Sequence, residues 1–134
     1  AAEMGAILIA SAGNAGPSSP PLYPAAYPAV IAVSAVDSAD EVYDKANRGR
    51  HIAVAAPGVD ILAPGVKGSY DLSSGTSMAA AHVSGAIALL LERRPGLTPR
   101  EVRALLTRTA RPAPGGPEAV GAGIVDAARL IEER

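Results

Sequence analysis

A three-layer α/β/α fold with a mainly parallel sheet is what this 134-residue sequence predicts, and three observations lead there. Residues 5–11, 30–36 and 52–56 are short continuous apolar runs ending at Gly, Pro, Asn or Asp, as in strands buried on both faces of a parallel sheet. From residue 76 onward the pattern turns helical, so strands and helices interleave in one unit. Nearly half the residues are apolar, yet there are only four Tyr and no Phe or Trp; Ala, Val, Ile and Leu must fill the interior, which suits closely packed layers.

The first strand, residues 5–11, leads into Gly13-Asn14. Asn14 therefore falls at a strand C-terminus, where open α/β sheets bind ligands. The same residue also reads as a plain turn former, since Gly-Asn steps favour turns. Residues 16–28 carry five prolines and predict an ordered, non-repetitive loop. Residues 30–36 are β-branched and stop at Asp37-Ser38, and residues 42–47 predict a shorter strand or edge segment before the Arg48-Gly49-Arg50 turn. The third strand, residues 52–56, is closed by Pro57-Gly58, and a fourth, residues 60–63, by Pro64-Gly65. Gly65-Val66-Lys67-Gly68 then makes a hairpin-like turn into residues 69–72.

A Gly-containing turn next opens a helix with Ser77 in its first turn, where N–H groups lack intrahelical partners and the dipole is positive. Between Met78 and Leu91 almost the only polar side chains are His82 and Ser84, which predicts a helix buried on all sides. Capping alone also accounts for this start, with Thr76 as a local N-cap that Ser77 merely follows. Thr98-Pro99-Arg100-Glu101 is a capping box opening a helix with a Val102, Leu105, Leu106 stripe that ends near Thr109. A Pro/Gly loop spans residues 111–117, and Asp126 caps a last short helix reaching Glu133. No repeat or low-complexity tract interrupts the chain, so residues 1–134 read as a single domain.

A net charge of −1 gives no reason to expect nucleic acid or an anionic membrane as partner. Cysteine is absent, which excludes disulfides, thiolate catalysis and cysteine-bound zinc. The longest apolar run, Ala86 to Leu91, is far short of the ~20 residues of a membrane span. Ala1-Ala2-Glu3-Met4-Gly5 lacks the charged start of a signal peptide and reads as a cut inside a longer protein. The carboxylates are scattered, and no metal or cofactor is expected.

Two motifs stand in order along the chain. Ser11-Ala12-Gly13-Asn14-Ala15-Gly16 and Gly75-Thr76-Ser77-Met78-Ala79, the latter with His82-Val83 and Gly85, resemble the oxyanion and nucleophile segments of the subtilisin-like serine peptidases. Residues 23–33 and 54–61 are similar to stretches between those motifs, and the likeness runs on from Pro95 to Gly123-Ile124-Val125-Asp126-Ala127-Ala128. It covers about residues 6–130, corresponding to the C-terminal half of a subtilase catalytic domain. The resemblance implies a serine endopeptidase acting on polypeptides, with Ser77 as nucleophile, Asn14 as oxyanion donor and Ser11, Ala12, Gly13 and Thr76 in substrate binding. It also implies that the Asp and His of the triad lie in a missing N-terminal half, and it suggests a secreted or extracytoplasmic origin. A fragment without that half is expected to be inactive and either to self-associate or to rearrange so as to cover its exposed sheet; the alternative is a non-catalytic segment that keeps the fold for packing or partner binding.

Acyl transfer by serine needs a nucleophile, a base, an orienting acid and oxyanion donors, and this chain offers the first and the last. His82 is five residues beyond Ser77 and rotated from it by ~140° around the helix, so it cannot be the base. The resemblance makes it a hydrogen-bonded interior histidine. His51 precedes a strand at the end away from ligand binding. The chain lacks the second glycine of a G-x-S-x-G elbow and the third glycine of a dinucleotide fingerprint. It departs from the family at Lys45-Ala46, usually Phe-Ser, which implies an altered local surface, and at Ala81, usually Pro. Alanine there lets the helix start straighten and sets Ser77 slightly back.

Overall fold

The structure, a computed structural model, describes residues 1–133. Three parallel strands, β1 (Leu8–Ser11), β2 (Val30–Val36) and β3 (Ile52–Pro57), form a sheet in that order. An antiparallel hairpin, β4 (Ile61–Pro64) and β5 (Tyr70–Ser73), follows. The helices are α1 (Thr76–Arg93), α2 (Pro99–Thr109), α3 (Pro117–Val120) and α4 (Ala127–Glu132). The fourth expected strand thus belongs to a separate hairpin sheet, and the one-turn α3 is an element that the Pro/Gly pattern of its surroundings conceals.

Alternation along β2 separates the two faces of the sheet. Ile31, Val33 and Ala35 point to one side, where they meet Ala79, Val83, Ile87 and Leu90 of α1 and Val102, Leu105 and Leu106 of α2. Ala32 packs on the other side with Ala12, Ala25 and Ile52, while Val36 and Ala55 meet Ala119, Val120 and Ile124 around α3. The register slips by one residue between Ala32 and Val33, so Ala32 pairs with Ile52 but Val33 with Val54. That bulge at Ala53 keeps like faces opposite like faces through the rest of the pair. Leu90, Leu106 and Leu130 are completely buried, each worth roughly 1.5–3 kcal/mol in transfer free energy.

Three expectations are corrected. β1 is half-buried rather than buried on both faces, because it pairs with β2 alone and no described strand covers its other edge. Residues 42–47 make one antiparallel bridge, Val42 to Val36, and then turn, because the Asn47 backbone N–H bonds to the loop after β1 instead of to a strand. Helix α1 is buried on one side only: Ala81, His82, Ser84, Gly85 and Leu89 are exposed, since a three-stranded sheet covers a single face of the helix. His82 accordingly stands at the surface, its Nδ1–H donating to the Met78 carbonyl at 3.0 Å.

The capping box of α2 is complete. Thr98 Oγ1 accepts from the Glu101 N–H, and Glu101 Oε2 accepts from the Thr98 N–H at 2.8 Å and from its hydroxyl at 2.7 Å. The backbone donor first, and then the hydroxyl, hold the Glu101 carboxyl below its ordinary range. A carboxyl depressed in the folded state stabilises above its unfolded pKa, and that contribution is lost as pH falls through the folded value. Glu101→Gln is therefore expected to lower Tm at neutral pH, and the gap from wild type is expected to close on acidification. Thermal melts across the acidic range check this; a gap that stays constant with pH contradicts it.

Candidate functional site

The site lies where the sheet's three C-terminal ends meet the start of α1. Beyond Pro57 the Gly58 N–H donates to the Val36 carbonyl at 3.0 Å, and the Gly58 carbonyl accepts from the Gly75 N–H at 2.7 Å. This sews the residue before α1 to the ends of β2 and β3. A Cβ on Gly58 would lie 2.6 Å from Ala35 Cβ and 2.7 Å from the Gly75 carbonyl oxygen, so only glycine allows the approach.

The loop after β1 arrives from the other side. Ala12 extends the ladder by one bond, its N–H donating to the Val33 carbonyl at 2.8 Å, and the chain then turns at Gly13 with φ of 111°. From this turn Asn14 reaches α1: Oδ1 accepts from the Thr76 N–H at 2.9 Å and from the Thr76 hydroxyl at 3.0 Å. Thr76 Oγ1 in turn accepts from the Gly13 N–H at 3.0 Å. These bonds link residues 62 and 63 positions apart, and Thr76 is fully buried among them. The local-cap reading of Thr76 is thereby overturned: the N-cap position is Gly75, no side chain caps from there, and the Thr76 hydroxyl is spent on the β1 loop.

What remains at the helix tip is chemically telling. The Thr76 N–H goes to Asn14 and the Met78 N–H to the Gly75 carbonyl at 3.1 Å, while the Ser77 N–H has no acceptor among the described residues. Asn14 Nδ2 also donates to none of them, and it sits 3.2 Å from where a Gly75 Cβ would be. Ser77 itself is exposed. The exposed Ser77 hydroxyl thus stands next in sequence to the residue that bonds Asn14, at the positive end of an 18-residue helix, a setting that favours a negatively charged oxygen.

Of the residues read as substrate-binding, Ser11 and Gly13 are part-exposed, whereas Ala12 and Thr76 are fully buried. The Thr76 N–H and hydroxyl are both engaged with the loop after β1. Neither histidine joins the site: His82 bonds its own helix, and His51 precedes β3 at the end opposite Pro57. Among the described residues no three His, Asp or Glu side chains come together as a metal site.

Asn47, which holds the loop around Asn14, is a residue that sequence reasoning missed. Asn47 is completely buried; its N–H donates to the Gly13 carbonyl at 2.9 Å, its Oδ1 accepts from the Ala15 N–H at 2.8 Å, and its Nδ2 donates to Ser19 Oγ at 3.3 Å. It braces both sides of Asn14. An Asn beside a Gly turn ordinarily signals an exposed turn, and nothing local in the sequence records the distant partners that bury this one.

The sequence profile of the Subtilase family matches residues 1–123. Subtilisin of Bacillus pumilus is 43% identical over 113 residues, 82% of this chain and 41% of that protein. Subtilisin E of Bacillus subtilis (strain 168) is 42% identical over 113 residues, 82% of this chain and 30% of that protein. The crystal structure of fervidolysin from Fervidobacterium pennivorans, described as a keratinolytic enzyme related to subtilisin, superposes with a TM-score of 0.89. That match has 35% identity and covers 98% of this chain and 23% of fervidolysin. The chain spans about a quarter to two fifths of the length of these relatives.

Thr76→Val leaves the Gly13 N–H without its acceptor and removes one donor from Asn14. It is expected to cost about 1–3 kcal/mol, read as a lower urea midpoint at constant slope, with Thr76→Ser near wild type. Equal midpoints for Val and wild type contradict the bond network.

Proposed function

Since the chain belongs to the subtilase family, we propose that it is the C-terminal part of a serine endopeptidase domain in which Ser77 is the nucleophile. The observation that supports this most is the bond from the Thr76 N–H to Asn14 Oδ1, which brings Asn14 to the residue before Ser77, while the Ser77 N–H and Asn14 Nδ2 have no partner among the described residues. A turn former and the first residue of a helix have no local reason to meet across 62 positions. Acyl transfer gives them one.

In this reading Ser77 Oγ attacks the scissile carbonyl carbon as its proton passes to a base from the part of the protein outside this chain. The carbonyl oxygen takes up negative charge and accepts hydrogen bonds from the Ser77 N–H and Asn14 Nδ2. The protonated base then gives its proton to the leaving amine, the C–N bond breaks, and water later releases the acyl group from Ser77 by the reverse sequence. Thr76 and Asn47 are positioning residues, the first holding Asn14 Oδ1 so that Nδ2 faces the site, the second fixing the turn around Asn14. Ser11, Ala12 and Gly13 supply the backbone along which the polypeptide lies. The remaining half of the domain is the partner for the open edge of β1 and the exposed face of α1, and without it those surfaces favour self-association.

The isolated chain is expected to show no Ser77-dependent peptide hydrolysis, because it brings no base to the hydroxyl; turnover abolished by Ser77→Ala in the 134-residue chain contradicts that. In the complete gene product Asn14→Leu is expected to lower kcat by about 10²–10³ with little change in KM. This magnitude is adopted from the equivalent asparagine of subtilisin itself rather than derived. Steady-state kinetics decide, and a kcat within about twofold of wild type removes Asn14 from the oxyanion role.

A further inference from the structure

The two residues between β5 and α1, Ser74 and Gly75, carry the chain into the helix tip, and only Ser74 of the pair has a side chain. Its hydroxyl accepts from the Asp60 N–H at 2.8 Å and donates to Asp60 Oδ1 at 3.4 Å. The β4–β5 ladder ends at the Ile61–Ser73 pair, so one position further on the Ser74 hydroxyl, rather than a main-chain carbonyl, receives the next N–H. Asp60 presents that N–H from the left-handed region, with φ of 52°, a conformation that Asp tolerates better than most side chains.

Four successive residues are thereby anchored ahead of Ser77. Ser73 pairs with Ile61, Ser74 Oγ holds Asp60, the Gly75 N–H donates to the Gly58 carbonyl at 2.7 Å, and the Thr76 N–H donates to Asn14 Oδ1. Helix α1 needs such anchoring, because Gly75 in its N-cap position supplies no side-chain cap and glycine has the freest backbone of any residue. The direction of the Ser77 N–H is set by the peptide that follows Thr76. A shift of the chain at Ser74 and Gly75 therefore turns this donor relative to Asn14, which Asn47 braces from its own side. Ser74 and Asp60 are both exposed, so the bond between them is not one that satisfies a buried group, and what it fixes is local geometry.

We propose that Ser74 is a positioning residue for acyl transfer: through its bond to Asp60 it holds the start of α1 so that the Ser77 N–H and Asn14 Nδ2 meet on one oxygen. The inference rests on the peptidase reading of Ser77. Ser74 acts through the backbone of Gly75 and Thr76, and the exposed setting of its hydroxyl lets the protein fold without it.

The test uses the complete gene product, with kcat expressed per active site titrated to completion by a fluorophosphonate, so that loss of folded enzyme does not enter. Ser74→Ala is expected to lower kcat about three- to tenfold with KM within about twofold of wild type, the range that one lost hydrogen bond gives. Ser74→Thr keeps a hydroxyl and is expected within about twofold of wild type, whereas Ser74→Val, of the same shape without it, matches Ser74→Ala. In an Asn14→Leu background, where the second donor is gone, Ser74→Ala is expected to cost less than about twofold in kcat. A kcat per site within about twofold of wild type in Ser74→Ala and Ser74→Val, a change confined to KM, or the full loss repeated in the Asn14→Leu background overturns the positioning role while leaving Ser77-dependent hydrolysis in place. Hydrolysis that survives Ser77→Ala overturns the peptidase reading, and this inference with it.

Discussion

The knot of three hydrogen bonds among Gly13, Asn14 and Thr76 is the constraint on which the rest of the site depends. It joins the end of β1 to the start of α1 and decides which donors remain for a ligand. Thr76 uses both of its polar groups, Asn14 uses its oxygen, and the Ser77 N–H and Asn14 Nδ2 are what is left. Because Thr76 is completely buried, an unmade bond there leaves a polar group with no water to turn to. Binding geometry is thus coupled to folding: the arrangement that satisfies the interior also sets the two free donors in place. Gly58 and Asn47 extend the logic outward, the first clamping Gly75 to the strand ends and the second bracing the turn at Gly13.

Much of the frame was legible because its determinants are local. β2 coincides with the β-branched run 30–36, and α2 starts and stops at its capping box and Thr109, since alternation and capping are written within a few residues. Asn14 and Ser77 were legible as a pair through two family motifs in order, and the structure places Asn14 against the residue before Ser77. The roles of Thr76 and Asn47 were not. A Thr opening a helix looks like a cap and an Asn at the edge of the Arg48-Gly49-Arg50 turn like a turn former; what distinguishes them is a partner tens of residues away, and periodicity carries no such record.

The exposed face of α1 shows the same limit from the other side. Its sequence is apolar all round and so predicts burial, yet within residues 1–133 the sheet covers one face only. Met78, Ala81, Gly85 and Leu89, with Ile61 and Ala63 of β4 and Ala127 of α4, line a shallow apolar groove. Apolar pattern reports how much of a helix is to be covered, not which part of a protein covers it. Read with the proposed domain, the groove and the open edge of β1 are the surfaces that the remaining half meets, and the base that Ser77 lacks arrives with it.

The most direct test of the central claim is covalent. A fluorophosphonate loses fluoride to an activated serine and leaves a tetrahedral phosphonyl ester whose oxygen occupies the place of the oxyanion. Treatment of the complete gene product, followed by peptide mapping by mass spectrometry, is expected to place the adduct on Ser77, with labelling slowed by Asn14→Leu. Labelling of another residue, or a Ser77 that stays unmodified, contradicts the account.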